Sequence, residues 1–169
     1  MDIQEAIDEL RSMRDLIRWG TSRFAESDIW YGHGTDNPLD EAAAIVFAAL
    51  NLPHHLNDGY LASRVTRSER ERILGLFKRR VEERLPVPYL THEAWFLGMP
   101  FYVDERVLIP RSPIGELIES RFSPWIGERE IGRILDVGTG SGCIAIACAH
   151  AFPEAFVDAV DIDPDALAV

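Results

Sequence analysis

A glycine-rich turn between two apolar runs constrains the fold of this chain more than any other segment. Positions 134–149 read ILDVGTGSGCIAIACA, with Gly138, Gly140 and Gly142 between a predicted strand and a predicted helix. Such a turn directs backbone N–H groups and the positive end of the helix toward a ligand, which can approach closely because side chains are missing. A second strand, AFVDAVDI, and a helix start, DPDALAV, follow. The segment therefore predicts the βαβ rhythm of a parallel sheet covered by helices.

An acidic residue about 20 positions after the turn indicates the kind of ligand. Asp161 ends the second predicted strand, where its carboxylate can accept hydrogen bonds from two ribose hydroxyls. Together, the turn and the acid favour a nucleoside-type cofactor over a purely structural turn. The dinucleotide fingerprint G-x-G-x-x-G/A, counted from Gly138, fails at Cys143, which argues against a nicotinamide oxidoreductase. The G-K-[ST] ending of a phosphate-binding loop is also missing, so ATP and GTP are disfavoured.

The first 90 residues predict a small helical bundle. Apolar residues at positions 3–17 recur at three- and four-residue steps and predict one amphipathic helix that ends at Gly20. Asn-Pro at 37–38 predicts the start of a second, central helix that is apolar almost all round. A T-x-x-E capping box at 66–69 begins a third helix, which LPVP at 85–88 ends.

Aromatic and β-branched residues become frequent after position 90 and predict a β-hairpin with Gly98 and Pro100 in its turn. Ser112 is then placed to cap a helix that has Pro113 at its first position. The chain as a whole is therefore predicted to be α+β. Its predicted parts are a helical domain at 1–90, a hairpin linker at 91–111 and the beginning of an α/β domain at 112–169.

The overall charge argues against general binding to nucleic acid. The 169 residues carry a net charge of −11, whereas binding to a phosphate backbone requires an excess of Lys and Arg. The strip 64–84 differs, with eight basic and four acidic residues. A solvated helix face with i,i+4 ion pairs is the favoured interpretation of this strip. A contact with ribosomal RNA is the alternative.

Cysteine and histidine patterns indicate no metal site. Cys143 and Cys148 match neither a zinc knuckle nor a redox pair and are expected to be small core residues in a reducing compartment. Histidines at 33, 54 and 55 lack ligands at metal spacing, so we predict no chemistry for them. No apolar run approaches the roughly 20 residues of a membrane span. The acidic start MDIQEAIDEL is also unlike a secretory leader, so we expect a cytoplasmic protein.

The pattern D-x-G-x-G-x-G at 136–142 resembles motif one of the S-adenosylmethionine-dependent methyltransferases with a Rossmann-like fold. With the hairpin motif F-x-G-x-x-F-x-V-x-x-x-V-L-I-P-R at 96–111 and AVDIDPDALAV at 159–169, the chain resembles the HemK-like protein-glutamine methyltransferases. The variant PRSPIGELI at 110–118 and the stretch YGHGTDNPLDEA favour the branch that modifies large-subunit ribosomal protein L-three. The branch that acts on peptide release factors and a non-catalytic module that binds ribosomal proteins are the alternatives.

This resemblance implies S-adenosylmethionine as the cofactor and substrate recognition by the helical domain. The glycine turn would hold the methionine part of the cofactor, Asp161 its ribose, and Asp136 its amino group indirectly. For Arg111, which would border the pocket, a structural role beside the hairpin is equally compatible. The residues that the resemblance assigns to cofactor binding are Asp136, Gly138, Thr139, Gly140, Ser141, Gly142, Asp161 and Arg111.

The resemblance also implies a catalytic loop, N-P-P-Y, after the fourth strand of the sheet. These 169 residues do not contain that loop, so no catalytic residue is predicted within them and a fragment of a longer enzyme is expected. We accordingly expect the purified 169-residue chain to transfer no methyl group. An assay with radiolabelled S-adenosylmethionine and the ribosomal protein tests this, and incorporation of label above a no-enzyme control would contradict it.

Overall fold

The structure is a computed structural model that describes residues 1–32, 34–53, 56–127 and 129–169. The three histidines at 33, 54 and 55 lie outside the described residues. The chain divides into two compact units, Met1–Thr91 and His92–Val169. Helices and strands are mixed, as the α+β prediction requires. Among the described residues, no helix combines the length and apolarity needed to cross a bilayer.

The first unit is built from helices around one apolar core. α3 is its central helix and packs against α2, α4 and α5, as predicted from its nearly continuous apolar surface. The core is formed mainly by large side chains of α2, α3 and α4, including Leu16, Phe24, Ile45, Ile73 and Phe77. The elements of this unit are α1 (Gln4–Glu9), α2 (Met13–Ala25), α3 (Pro38–Ala49), a 3₁₀ turn (Tyr60–Ala62), α4 (Arg67–Glu82) and α5 (Val87–Thr91).

The prediction of a single N-terminal helix is wrong, because a capping motif divides it into α1 and α2. The Ser12 hydroxyl accepts a hydrogen bond from the Asp15 backbone N–H at 3.2 Å, and the Asp15 carboxylate accepts one from the Ser12 N–H at 2.9 Å. These bonds satisfy donors at the start of a new helix. The helical spacing of apolar residues continues from α1 into α2, because both helices face the same core. This spacing therefore does not reveal the break between them.

Gly20 does not end a helix, contrary to the prediction, but lies buried in the middle of α2. A Cβ atom at this position would lie 2.6 Å from two carbons of the Phe77 ring and 3.1 Å from the Ala42 Cβ. Glycine is therefore required because it lets α2 approach α4 closely at this point. The Phe77 ring is fully buried and packs against Trp19 and Phe24, so it has little room to move.

The two later helix starts predicted in the first unit are confirmed. The Asn37 side chain accepts a hydrogen bond from the Asp40 backbone N–H at 2.9 Å, and Pro38 is the first residue of α3. The predicted capping box begins α4: the Thr66 hydroxyl accepts from the Glu69 N–H, and the Glu69 carboxylate accepts from the Thr66 N–H at 2.8 Å. α4 ends at Glu82, before the LPVP segment.

A buried ion pair joins α3 to α4. Arg80 and Glu41 are 2% and 1% exposed, and Arg80 Nε donates a hydrogen bond to Glu41 Oε2 at 2.7 Å. Arg80 Nη2 donates to Glu41 Oε1 at 3.2 Å and to the Trp30 carbonyl oxygen at 2.7 Å. These bonds satisfy both charges, which would be strongly destabilising if either were left alone in the core.

Most basic residues of the strip 64–84 form hydrogen bonds or ion pairs within the protein. Arg70 is buried and donates to the carbonyl oxygens of Ile7 and Val65. Three further basic residues form i,i+4 ion pairs, as the favoured interpretation requires, and the structure gives the RNA alternative no support. These pairs are Arg67–Glu71, Lys78–Glu82 and Arg79–Glu83.

In its described residues, 92–127 and 129–169, the second unit contains a hairpin, a two-stranded parallel sheet and three helices. Its hairpin residues Phe96 and Phe101 pack with Ile118 of α6 and with Cys143 and Cys148 of α7, so the predicted core role of both cysteines is confirmed. The elements are β1 (Glu93–Phe96), β2 (Met99–Tyr102), α6 (Ile114–Glu119), β3 (Arg133–Val137), α7 (Cys143–Ala151), β4 (Phe156–Val160) and α8 (Pro164–Leu167).

The hairpin forms as predicted, but with a different turn. β1 and β2 are antiparallel, and the turn between Phe96 and Met99 consists of Leu97 and Gly98, with φ of 49° and 74°. Two positive φ values suit the twist of a two-residue hairpin turn. Pro100 was predicted in the turn but lies in β2, opposite Trp95. Proline is tolerated there because a two-stranded sheet has free strand edges.

The start of α6 is one residue later than predicted. Pro113 precedes the helix instead of being its first residue, and Ile114 begins it. The reason is a tight first turn in which the Gly115 N–H donates to the Ser112 carbonyl oxygen at 3.2 Å. The Ser112 hydroxyl still accepts a hydrogen bond from the Ile114 N–H at 3.3 Å.

β3, α7 and β4 form a βαβ unit at the predicted positions. β3 and β4 are parallel, with Val137 opposite Val160, and α7 packs against both strands. The opposite face of this sheet exposes apolar side chains: Leu135, Val137 and Val160 are 61%, 73% and 45% exposed. Arg133 and Asp158 form an ion pair across the two strands at 2.8 Å.

The close approach at Gly20 leads to a stability prediction. Gly20→Ala should lower the free energy of unfolding, because overpacking costs about 1–3 kcal/mol and outweighs a helix-propensity gain of about 1 kcal/mol. Gly75→Ala is the matched control, since Gly75 lies inside α4 and a Cβ there would meet nothing within 4 Å. This control should raise stability by about 0.5–1 kcal/mol. Urea unfolding measures both values, and a stabilised Gly20→Ala would contradict the packing argument.

The buried ion pair leads to a second stability prediction. Glu41→Gln leaves the Arg80 guanidinium buried without its counter-charge and should lower the free energy of unfolding by about 3–5 kcal/mol. Glu83→Gln removes one partner of an exposed i,i+4 pair with Arg79 and should change it by about 0.5 kcal/mol or less. Urea unfolding of the two variants tests the difference. Equal effects would show that the buried pair has no special role.

Candidate cofactor site

The glycine turn has a backbone that other residues rarely adopt. Gly138, Gly140 and Gly142 have φ of 77°, 54° and 76°, all in the left-handed region. A Cβ atom at Gly138 or Gly140 would meet nothing within 4 Å. The glycines are therefore needed for the path of the backbone and not for packing within the chain. The space above the turn is open to a ligand.

The turn is fixed to the end of β4. The backbone N–H groups of Gly138 and Thr139 donate to the Val160 carbonyl oxygen at 2.8 and 3.1 Å. The hydroxyl of Thr139, which is buried, donates to Asp136 Oδ2 at 2.7 Å. Asp136 lies in β3, so the turn is held by both strands. Ligands of parallel sheets covered by helices bind at this carboxyl edge.

Asp161 lies directly against the glycine turn. Its Oδ2 accepts a hydrogen bond from the Gly140 backbone N–H at 2.9 Å, and its Oδ1 accepts one from the Asp163 N–H at 3.0 Å. These bonds from Asp163 and Gly140 lower the pKa of the Asp161 carboxyl because they stabilise its charged form. Asp161 is therefore an anion at neutral pH. Each carboxylate oxygen retains a lone pair that can accept from a ligand hydroxyl.

The N-terminus of α7 completes the site. Gly142 precedes the helix with no side-chain cap, and its N–H donates to the Thr139 carbonyl oxygen at 2.9 Å. The first N–H groups of a helix and its dipole favour an anionic group nearby. Ser141 is half-buried in the same turn, while burial raises the pKa of Cys143 and keeps its thiol neutral. The site thus offers amide donors on one side and a carboxylate acceptor on the other.

Arg111 lies in the segment between β2 and α6. It is exposed and lines a surface cavity of about 450 Å³ together with Trp95, Pro113 and Glu116. The described residues that line this cavity include none of the glycine turn. Its assignment to the cofactor remains a prediction.

Two features of the structure were missed in the sequence. The direct bond between Gly140 and Asp161 was not predicted, although both residues were placed at the carboxyl ends of neighbouring parallel strands. The Glu41–Arg80 pair was also missed. The signal was present, since Arg80 follows Ile73 and Phe77 at the spacing of the buried face of α4. A charged residue on an apolar stripe requires a buried partner.

The amino-acid sequence matches known methyltransferases. Residues 122–169 match the methyltransferase small domain family. The chain is 57% identical to the ribosomal protein uL3 glutamine methyltransferase of Xanthomonas campestris pv. campestris over 164 residues, which are 97% of the chain and 53% of that relative. Two proteins of the same name from Xylella fastidiosa, strains Temecula1 and 9a5c, are 52% and 51% identical over the same shares. The resemblance to the protein-glutamine methyltransferases is thereby confirmed.

The matches cover only part of the relatives and part of this chain. The chain spans about half the length of the curated relatives it matches. The methyltransferase domain match includes the glycine turn and Asp161, and such domains use a methyl donor of the S-adenosylmethionine type. The fit between this donor and the site is chemical as well: open left-handed glycines and a helix N-terminus suit its carboxylate-bearing part, and an ionised acid suits its sugar.

Proposed function

We propose that the whole protein transfers a methyl group from S-adenosylmethionine to the side-chain amide nitrogen of a glutamine in ribosomal protein uL3. The observation that carries the proposal is the meeting of three left-handed glycines and Asp161 at one sheet edge. Relatives named uL3 glutamine methyltransferases support it, because they align with 97% of the chain. A Rossmann-like fold for the complete domain is part of the proposal, which the parallel β3–α7–β4 unit supports.

Different residues of the site are proposed to bind different parts of the cofactor. The open turn at Gly138 and Gly140 is proposed to leave room for the methionine part, whose carboxylate matches the N–H groups at the N-terminus of α7. Asp161 is proposed to accept hydrogen bonds from the two ribose hydroxyls. Asp136 accepts the Thr139 hydroxyl and so orients the turn. When bound, S-adenosylmethionine supplies a methyl group on a positively charged sulfonium.

The proposed reaction is limited by its nucleophile. The lone pair of a glutamine amide nitrogen is delocalised into the carbonyl group, so the nitrogen must be aimed at the methyl carbon. As the new N–C bond forms, the bond between that carbon and the sulfur breaks, and one N–H proton is released. Positioning and electrostatic complementarity supply most of such catalysis. The resemblance assigns this task to an N-P-P-Y loop. The residues described above are proposed to bind and orient the donor.

The alternatives have less support. The relatives are named for uL3, and the variant PRSPIGELI at 110–118 favours the same branch over the release-factor branch. A module that binds a ribosomal protein without catalysis leaves the glycine turn and Asp161 without a role. The first unit is proposed to select the substrate. We expect the protein to act in the cytoplasm, where ribosomal proteins are synthesised.

The proposed role of Asp161 can be tested in the whole protein by calorimetry with S-adenosylmethionine. Asp161→Ala should weaken binding by about tenfold to a hundredfold, since charge-assisted hydrogen bonds to the ribose are lost. Asp161→Asn should have a smaller effect, because an amide oxygen can still accept from Gly140. The control is Asp158→Ala, since Asp158 is an exposed carboxylate of β4 that pairs with Arg133. Unchanged affinity of Asp161→Ala would rule out the ribose contact.

A further inference from the structure

An exposed tryptophan lies in the loop between α2 and α3. The Trp30 side chain is 81% exposed. Its neighbours on both sides are anchored, since Ile29 and Tyr31 pack against the core of the first unit. The chain therefore packs Ile29 and Tyr31 against the core and exposes Trp30 between them to solvent. Large aromatic side chains displayed in this way are common binding anchors in protein interfaces.

The backbone beneath Trp30 is braced from inside the helical unit. Arg80 Nη2 donates to the Trp30 carbonyl oxygen at 2.7 Å while the same guanidinium is paired with Glu41. Because Arg80 is 2% exposed, the loop is attached to an ion pair that is buried in the core of the unit. A Cβ atom at Gly32 would lie 3.5 Å from Trp30 Nε1, so the indole extends over the glycine backbone. A braced anchor loses little freedom on binding, which favours affinity.

The charge of the segment that carries Trp30 indicates a cationic partner. Positions 26–40 contain four acidic residues and neither Lys nor Arg. Asp28 is fully exposed and lies 3.8 Å from the exposed Arg84, a contact that a competing cation can replace. An indole face attracts Lys and Arg side chains, and nearby carboxylates add to this attraction. Phosphate groups would be repelled. The four acidic residues are Glu26, Asp28, Asp36 and Asp40.

We propose that Trp30 and Asp28 form a docking point for a Lys- or Arg-bearing segment of the ribosomal protein substrate. This inference rests on the proposed function. A protein that is built into ribosomal RNA neutralises phosphates with Lys and Arg, so it carries such segments before assembly. The docking point would add a contact in the first unit, outside the residues of the candidate cofactor site, and thereby contribute to substrate selection.

The test measures binding of the 169-residue chain to purified, RNA-free uL3 by biolayer interferometry. Trp30→Ala should weaken binding by about tenfold or more, and Trp30→Phe should retain part of the affinity because an aromatic face remains. Asp28→Asn should weaken binding and reduce its dependence on salt. The matched control is Trp125→Ala, since Trp125 is 77% exposed but lies in the second unit. Its affinity should stay within about twofold of the unaltered chain.

The possible outcomes separate this inference from the proposed function. Equal binding by the unaltered chain and Trp30→Ala overturns the docking point and leaves the proposed substrate standing. No binding of uL3 by the unaltered chain also overturns the docking point, whereas methyl transfer to uL3 by the whole protein tests the proposed function independently. Binding of a single-stranded RNA oligonucleotide that Trp30→Ala abolishes also overturns the inference, in favour of base stacking on the indole. Urea unfolding of Trp30→Ala, whose side chain is exposed, verifies that the variant is folded.

Discussion

The left-handed backbone at Gly138, Gly140 and Gly142 is the constraint on which the candidate site depends. It lets the chain leave β3, turn sharply and enter α7, whose first N–H groups have no partner within the helix. The same path brings the Gly140 N–H within 2.9 Å of Asp161, so that the second strand holds the turn of the first. Donors and acceptor are thus in place before any ligand binds, which reduces the entropy lost on binding.

Local signals in the sequence were sufficient for much of the fold. Asn37, Thr66 and Glu69 begin helices as predicted, because a cap depends on residues within one turn of each other. The βαβ unit was also predicted, since its strands and helix follow directly along the chain. The errors have local causes too. At Ser12, the helical spacing of apolar residues continues across a helix cap and so does not reveal the break. At Gly20, the glycine allows a close contact between helices instead of ending one.

The parts that could not be predicted depend on residues far apart in the chain. The Glu41–Arg80 pair joins positions 39 residues apart, and its hydrogen bond to Trp30 reaches 50 residues along the chain. No local pattern specifies such partners, although an arginine on an apolar stripe reveals that one is needed. The position of Arg111 depends in the same way on how the hairpin packs. The site was accessible to sequence reasoning because its residues lie on two adjacent strands.

The uncovered face of the β3–β4 sheet has a consequence for how this polypeptide behaves in solution. Leu135, Val137 and Val160 expose an apolar surface of the kind through which protein molecules associate. The net charge of −11 keeps copies apart by mutual repulsion. Added electrolyte shortens the range of that repulsion but leaves the attraction between apolar surfaces intact. Colloidal stability of the chain therefore declines as ionic strength rises.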